Sequence, residues 1–115
     1  MTVAEKCNWE AVCQTADLVE GSGVCALVDG VQVALFYLPG EEQSIYAIGN
    51  RDPIGGANVL SRGMVGDLGG KLVVASPLYK QHYSLETGAC LEDESVSVPV
   101  LAARIEGDRV LVAAR

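Results

Sequence analysis

Residues 45–60 read Ile45-Tyr46-Ala47-Ile48-Gly49-Asn50-Arg51-Asp52-Pro53-Ile54-Gly55-Gly56-Ala57-Asn58-Val59-Leu60. A short apolar strand, Ser44 to Ile48, runs straight into a turn-rich segment. That segment, Gly49 to Gly70, holds seven glycines and Pro53, with no sustained helical period. It reads as a long ordered loop with one short strand near Val59, and a loop of this length in a small domain is usually a functional element.

The rest of the chain reads as short strands and turns. Trp9 to Gln14 is a first strand, with the Trp9 ring expected in the core. The one place for a helical turn is Thr15 to Val19. Val24 to Val28 and Val31 to Leu38 flank Asp29-Gly30, a two-residue hairpin signal because both positions tolerate positive φ. Lys71 to Ala75 is strongly apolar, Ser76 to Gln81 is a second loop, and His82 to Leu85 returns as a strand before the Thr87-Gly88 turn. Val98 to Ile105 and Arg109 to Ala113 form a last hairpin. Nine or so such strands predict an antiparallel β-sandwich or barrel with little helix. The two loops, within a subdomain of roughly 49–88, carry most of the functional information.

The 115 residues have room for one domain, residues 1–115, and half of them are hydrophobic, enough to fill one core. The net charge of −7 disfavours nucleic acid and anionic membranes and suits docking on a basic patch of another protein. No secretory leader or membrane span is evident, so a cytoplasmic protein is expected. Cys7, Cys13, Cys25 and Cys90 show no C-x-x-C and no Cys/His spacing of a zinc site; free thiols are expected, with Cys13 and Cys25 buried in apolar runs. A disulfide or metal role for Cys7 and Cys13 stays open. The paired glycines match no phosphate-binding motif. Glu92, Asp93 and Glu94 read as a solvated acidic patch.

The two loops resemble those of a Rieske iron–sulfur domain, in which a C-x-H loop and a C-x-x-H loop each give one thiolate and one imidazole to a [2Fe–2S] cluster. Ile45-Tyr46-Ala47-Ile48 resembles the strand leading to the first loop, and Gly55-Gly56-Ala57-Asn58-Val59-Leu60 its Gly-rich tail. Ser76-Pro77-Leu78-Tyr79 resembles the second loop, and Tyr83-Ser84-Leu85-Glu86-Thr87-Gly88 the strand and turn after it. The ligands are replaced: Asn50 and Asp52 stand at the first pair of positions, Ser76 and Tyr79 at the second. His82 falls three residues beyond the last ligand position.

A narrower resemblance rests on Asn50-Arg51-Asp52-Pro53, Ser61-Arg62-Gly63 and Ser76-Pro77-Leu78-Tyr79-Lys80-Gln81. Over about residues 9–114 the chain is similar to the small subunits of bacterial assimilatory NAD(P)H-dependent nitrite reductase. The resemblance implies an oxidoreductase subunit of nitrate assimilation with no cluster, no other cofactor and no catalytic or metal-binding residues of its own. It implies a large subunit as partner, carrying FAD, sirohaem and an iron–sulfur cluster for reduction of nitrite to ammonium.

Two roles then remain for the loop residues. Asn50 and Asp52 can bond loop backbone, with Arg51 or Arg62 paired to Asp52, so that side chains brace what a metal holds elsewhere. Alternatively Arg51, Asp52, Arg62, Tyr79, Lys80, Gln81 and His82 form a docking surface for the large subunit. A regulatory or small-molecule-binding module of the same fold is the other function the sequence allows, and an acid–base role for Asp52, Tyr79 or His82 is the least favoured.

Overall fold

A computed structural model of the chain describes residues 8–41, 43–78 and 80–114. Cys7 and Tyr79 lie outside them, so the readings placed on those two stay sequence readings.

Among the described residues, ten strands form three antiparallel sheets. They are β1 (Asn8–Gln14), β2 (Gly23–Val28), β3 (Val31–Tyr37), β4 (Ile45–Gly49), β5 (Met64–Leu68), β6 (Lys71–Ala75), β7 (His82–Ser84), β8 (Val100–Leu101), β9 (Ala103–Glu106) and β10 (Arg109–Ala114). The sheet orders are β1-β10-β9, β2-β3-β4-β8 and β5-β6-β7. The predicted all-β architecture is what forms, and the helical content of the described residues is two short 3-10 turns, Thr15–Asp17 and Leu60–Arg62.

The unbroken apolar runs of β3 and β4 have a physical reason: both faces of the four-stranded sheet are covered. Val33, Leu35, Ile45 and Ala47 point to one side, where they meet Val110 and Val112 of β10. Ala34, Phe36, Tyr46 and Ile48 point to the other, where they meet Leu60, Val74, Tyr83 and Leu85. Each fully buried Phe, Leu or Ile contributes about 1.5–3 kcal/mol. The loop-bearing β5-β6-β7 sheet is thus tied to the central sheet by one core, and that core positions both loops. Asp29 and Gly30 both adopt positive φ, 52° and 80°, as the hairpin signal predicts.

Five sequence expectations need correction. Met64–Leu68 is a strand, in register with β6 from Met64↔Ala75 to Leu68↔Lys71, so the irregular segment ends near Gly63. Near Val59 the backbone forms only an Arg51↔Asn58 bridge and the Leu60–Arg62 turn. The run from Val98 to Ile105 is two strands, not one: β8 pairs with β4, and after Ala102 the chain crosses to pair with β10. Trp9 is only half-buried; Arg104 stacks on its ring at 4.2 Å and pairs with Glu106 at 2.6 Å. Cys25 is exposed on the edge strand β2, whereas Cys13 is half-buried and Cys90 buried, all three as free thiols.

Candidate functional site

Asp52 is the centre of the loop region. Its backbone is held in a tight turn, with Asp52 N donating to Ala57 O at 2.8 Å and Gly56 N donating to Asp52 O at 2.7 Å. Gly56 takes φ +77°, a conformation that side chains oppose, so the turn can close beneath Asp52. The curl aims two backbone N–H groups at the carboxylate: Ile54 at 2.9 Å and Gly55 at 3.1 Å, both on Oδ1. The Tyr83 hydroxyl, from β7, donates to the same oxygen at 3.0 Å. The Ser76 hydroxyl, from the second loop, donates to Oδ2.

Ser76 is itself fixed by its loop. Its N–H donates to Gln81 O at 2.8 Å, its carbonyl accepts from Lys80 N at 3.0 Å, and its Oγ accepts from Leu78 N at 3.2 Å. Lys80 reaches this geometry with a φ of 64°, unusual for a side-chain-bearing residue.

Asn50 makes the other cross-links. Its Oδ1 accepts from Ser61 N at 2.7 Å, and its Nδ2 donates to Gln32 Oε1 at 3.1 Å, with Cys25 Sγ at 3.6 Å. Asn50, Asp52 and Ser76 are all buried, at 2%, 0% and 1% exposure. Buried polar groups are expected to be bonded, and these three are.

The electrostatics follow from that wiring. Burial alone pushes the Asp52 carboxyl up, but the bonds from Ser76, Gly55, Ile54 and Tyr83 together outweigh it and hold the group below its usual range. Tyr83 moves the other way: burial, then its bond to the Asp52 carboxylate, raise the phenol well above its ordinary value. An ionised carboxylate with four donors and a neutral, buried phenol leave no proton to exchange near neutral pH. The cluster can brace two loops, and it is poorly suited to acid–base work.

The remaining loop residues are arranged differently from the sequence reading. Asp52 has no ion pair with Arg51 or Arg62 among the described residues; hydroxyls and backbone N–H groups take the place expected of a guanidinium. Arg51, Arg62 and Lys80 are exposed. His82 is turned away toward the segment after β7, where its Nδ1 meets Glu92 Oε2 at 2.6 Å and its backbone N–H donates to Glu92 Oε1 at 2.8 Å. That backbone bond is the chief reason the Glu92 carboxyl lies below its usual range, so Glu92 is more than a solvated patch residue. Gln81 Oε1 is buried without a partner among the described residues. Tyr83, Ser61, Gln32 and Glu92 were not legible as site residues; Tyr83 stands 31 residues from Asp52 and nothing local announces the bond.

A family model for the Rieske-like [2Fe-2S] domain matches residues 8–113. The chain is 46% identical over 99 residues to the nitrite reductase (NADH) small subunit of Salmonella typhimurium, covering 86% of this chain and 91% of that one. It superposes with a TM-score of 0.76 on the solution structure of the nitrite reductase [NAD(P)H] small subunit from Erwinia carotovora, at 44% identity over 93% of this chain and 82% of that one. A 104-residue stretch is 36% identical to part of the nitrite reductase [NAD(P)H] large subunit of Klebsiella oxytoca, covering 90% of this chain but 11% of that one.

The cluster that gives the domain family its description needs two thiolates and two imidazoles. Asn50, Asp52 and Ser76 offer an amide, a carboxylate and a hydroxyl, and Asp52 and Ser76 are bonded directly to each other. No group of three or more His, Cys, Asp or Glu suited to a metal occurs among the described residues. This donor set does not fit a [2Fe–2S] cluster. On the extent and identity of these matches, the chain belongs to the Rieske-like domain family and, within it, to the small subunits of NADH-dependent nitrite reductase.

Proposed function

We propose that the chain is the small, non-redox subunit of an NAD(P)H-dependent nitrite reductase in the cytoplasm, supporting reduction of nitrite to ammonium. A large subunit supplies the FAD, sirohaem and iron–sulfur chemistry, and this chain holds no cofactor. Family membership supports the subunit role. The observation that carries the non-redox part is the Asp52–Ser76 bond, with Tyr83 on the same carboxylate, closing the two loops where the resemblance sets ligand positions. A protein that keeps the loops and fills their interior with its own hydrogen bonds has retained a shape, and a shape serves a partner.

Co-expression with the large subunit tests this. The expected result is co-elution of the two chains, iron only in the large subunit, and nitrite-dependent NAD(P)H oxidation that falls when this chain is withheld. Separate elution with unchanged turnover would sink the subunit role. Iron and sulfide bound to this chain alone after anaerobic expression would sink the non-redox part.

A further inference from the structure

The loop end differs in charge from the rest of the chain. The whole sequence carries −7, yet Asp52 is the only acid within residues 50–63 and 76–82, and it is fully buried. Arg51, Arg62 and Lys80 are exposed there and form no ion pair among the described residues. Glu92, on the following segment, is tied to His82.

The same two loops hold apolar side chains out in solvent. Ile54 is 40% exposed and Leu78 is 43% exposed. Scattered exposed apolar residues are ordinary, but the backbones that carry these two are tied together by the bracing network. The N–H of Ile54 bonds one oxygen of Asp52, the Ser76 hydroxyl bonds the other, and the N–H of Leu78 bonds that hydroxyl. A chain of three hydrogen bonds therefore pins both tips, which lowers the ordering cost of any contact made through them.

We propose that Ile54 and Leu78, with the exposed cations Arg51, Arg62 and Lys80 of the same loop region, form the face that seats on an acidic patch with an apolar centre on the large subunit. This rests on the subunit reading above. The acidic net charge at first suggests docking on a basic surface; the distribution of charge gives the opposite sign at this end. The occupant is the large subunit because in the Klebsiella oxytoca relative the equivalent unit is part of a large-subunit chain.

The test titrates immobilised large subunit with wild-type chain, with an Arg51→Glu/Lys80→Glu pair, with Leu78→Ser, and with a Lys71→Glu/Arg109→Glu control. Lys71 and Arg109 are exposed cations away from the loops, on β6 and β10. Each variant is first matched to wild type by thermal melting. The loop-end variants are expected to raise Kd about tenfold or more, with the control near wild type. Wild-type affinity is expected to fall between about 50 and 300 mM salt, and less steeply in the charge-reversed pair. Loop-end variants that bind like wild type, or a control that loses as much, would overturn the assignment. Self-association of the chain abolished by the same substitutions would give the face to a second copy and overturn the named partner. Absence of any wild-type binding would instead refute the subunit reading itself.

Discussion

Tyr83 Oη donates to Asp52 Oδ1 at 3.0 Å, joining β7 to the first loop across 31 residues of chain. Ser76 joins the second loop to the other oxygen of the same carboxylate. One side chain therefore collects three segments, and removing different parts of it has graded consequences. Asp52→Ala strips the acceptor from four donors and is expected to cost about 3 kcal/mol or more. Asp52→Asn keeps one oxygen for Ile54, Gly55 and Tyr83 and presents an N–H₂ to Ser76 Oγ, so it should cost about 1 kcal/mol. Tyr83→Phe should fall between, at about 1–2 kcal/mol. Urea unfolding of the three variants checks the order, and an Asp52→Ala protein as stable as wild type would remove the bracing role.

Acid stability carries a signature of the same carboxylate. Asp52 and Glu92 both lie below their usual values in the folded chain. A carboxyl depressed on folding contributes stability that is present above its unfolded pKa, near about 4, and lost as pH falls through the lower native value. Stability should therefore decline below about pH 4, and Asp52→Asn should flatten that decline.

Tyr83 gives the opposite limb. Its raised phenol contributes stability that is full below the unfolded tyrosine value, near about 10, and lost as pH rises above it. Tyr83→Phe should weaken the alkaline decline. Chemical denaturation across pH measures both limbs, and identical profiles for wild type and variants would contradict the assignment.

Glycines at similar φ should differ sharply in tolerance. Gly30, at φ +80°, has open space around it, so Gly30→Ala should cost about 1 kcal/mol. Gly88, at φ +78°, faces the Val98 carbonyl, and an added methyl group would fall against it and the Val100 side chain. Gly88→Ala should cost about 2–4 kcal/mol. Equal melting temperatures for the two variants would show that the Gly88 approach is not a constraint.

Thiol labelling should follow exposure. Cys25 lies exposed, Cys13 is half-buried with burial and then Asp17 pushing its thiol up, and Cys90 is buried. Among these three thiols, alkylation of the native protein followed by peptide mapping should modify Cys25 first and Cys90 last.

The sequence disclosed the parts of this fold that announce themselves locally. Asp29-Gly30 needs positive φ at both positions, which few residue pairs supply, so the β2–β3 hairpin was readable. β3 and β4 were readable because a sheet covered on both faces demands unbroken apolar runs. β5 was not, because Gly66 interrupts its alternation within a glycine-rich stretch and Val65 alone of its residues packs against the core. The sheet change at Ala102 has no turn residue to mark it. At the site, Asn50, Asp52 and Ser76 were legible as positions and backbone partners for Asn50 and Asp52 were readable, but the hydroxyls of Ser76 and Tyr83 on Asp52 were not. The Arg–Asp52 pair was the natural guess from charge, yet the curl of residues 52–57 places backbone N–H groups there first. Cys25 misled because an apolar run on an edge strand still presents alternate residues to solvent.

The latch of Asp52, Ser76 and Tyr83 is built from atoms that leave the ribosome with the chain. Loops closed by a metal cluster must wait for its delivery, and they fall open when oxygen or a chelator removes it. Loops closed this way are ready as soon as the chain folds. On the proposal that this chain holds no cofactor, closure of its loops follows from folding alone and draws on no iron supply.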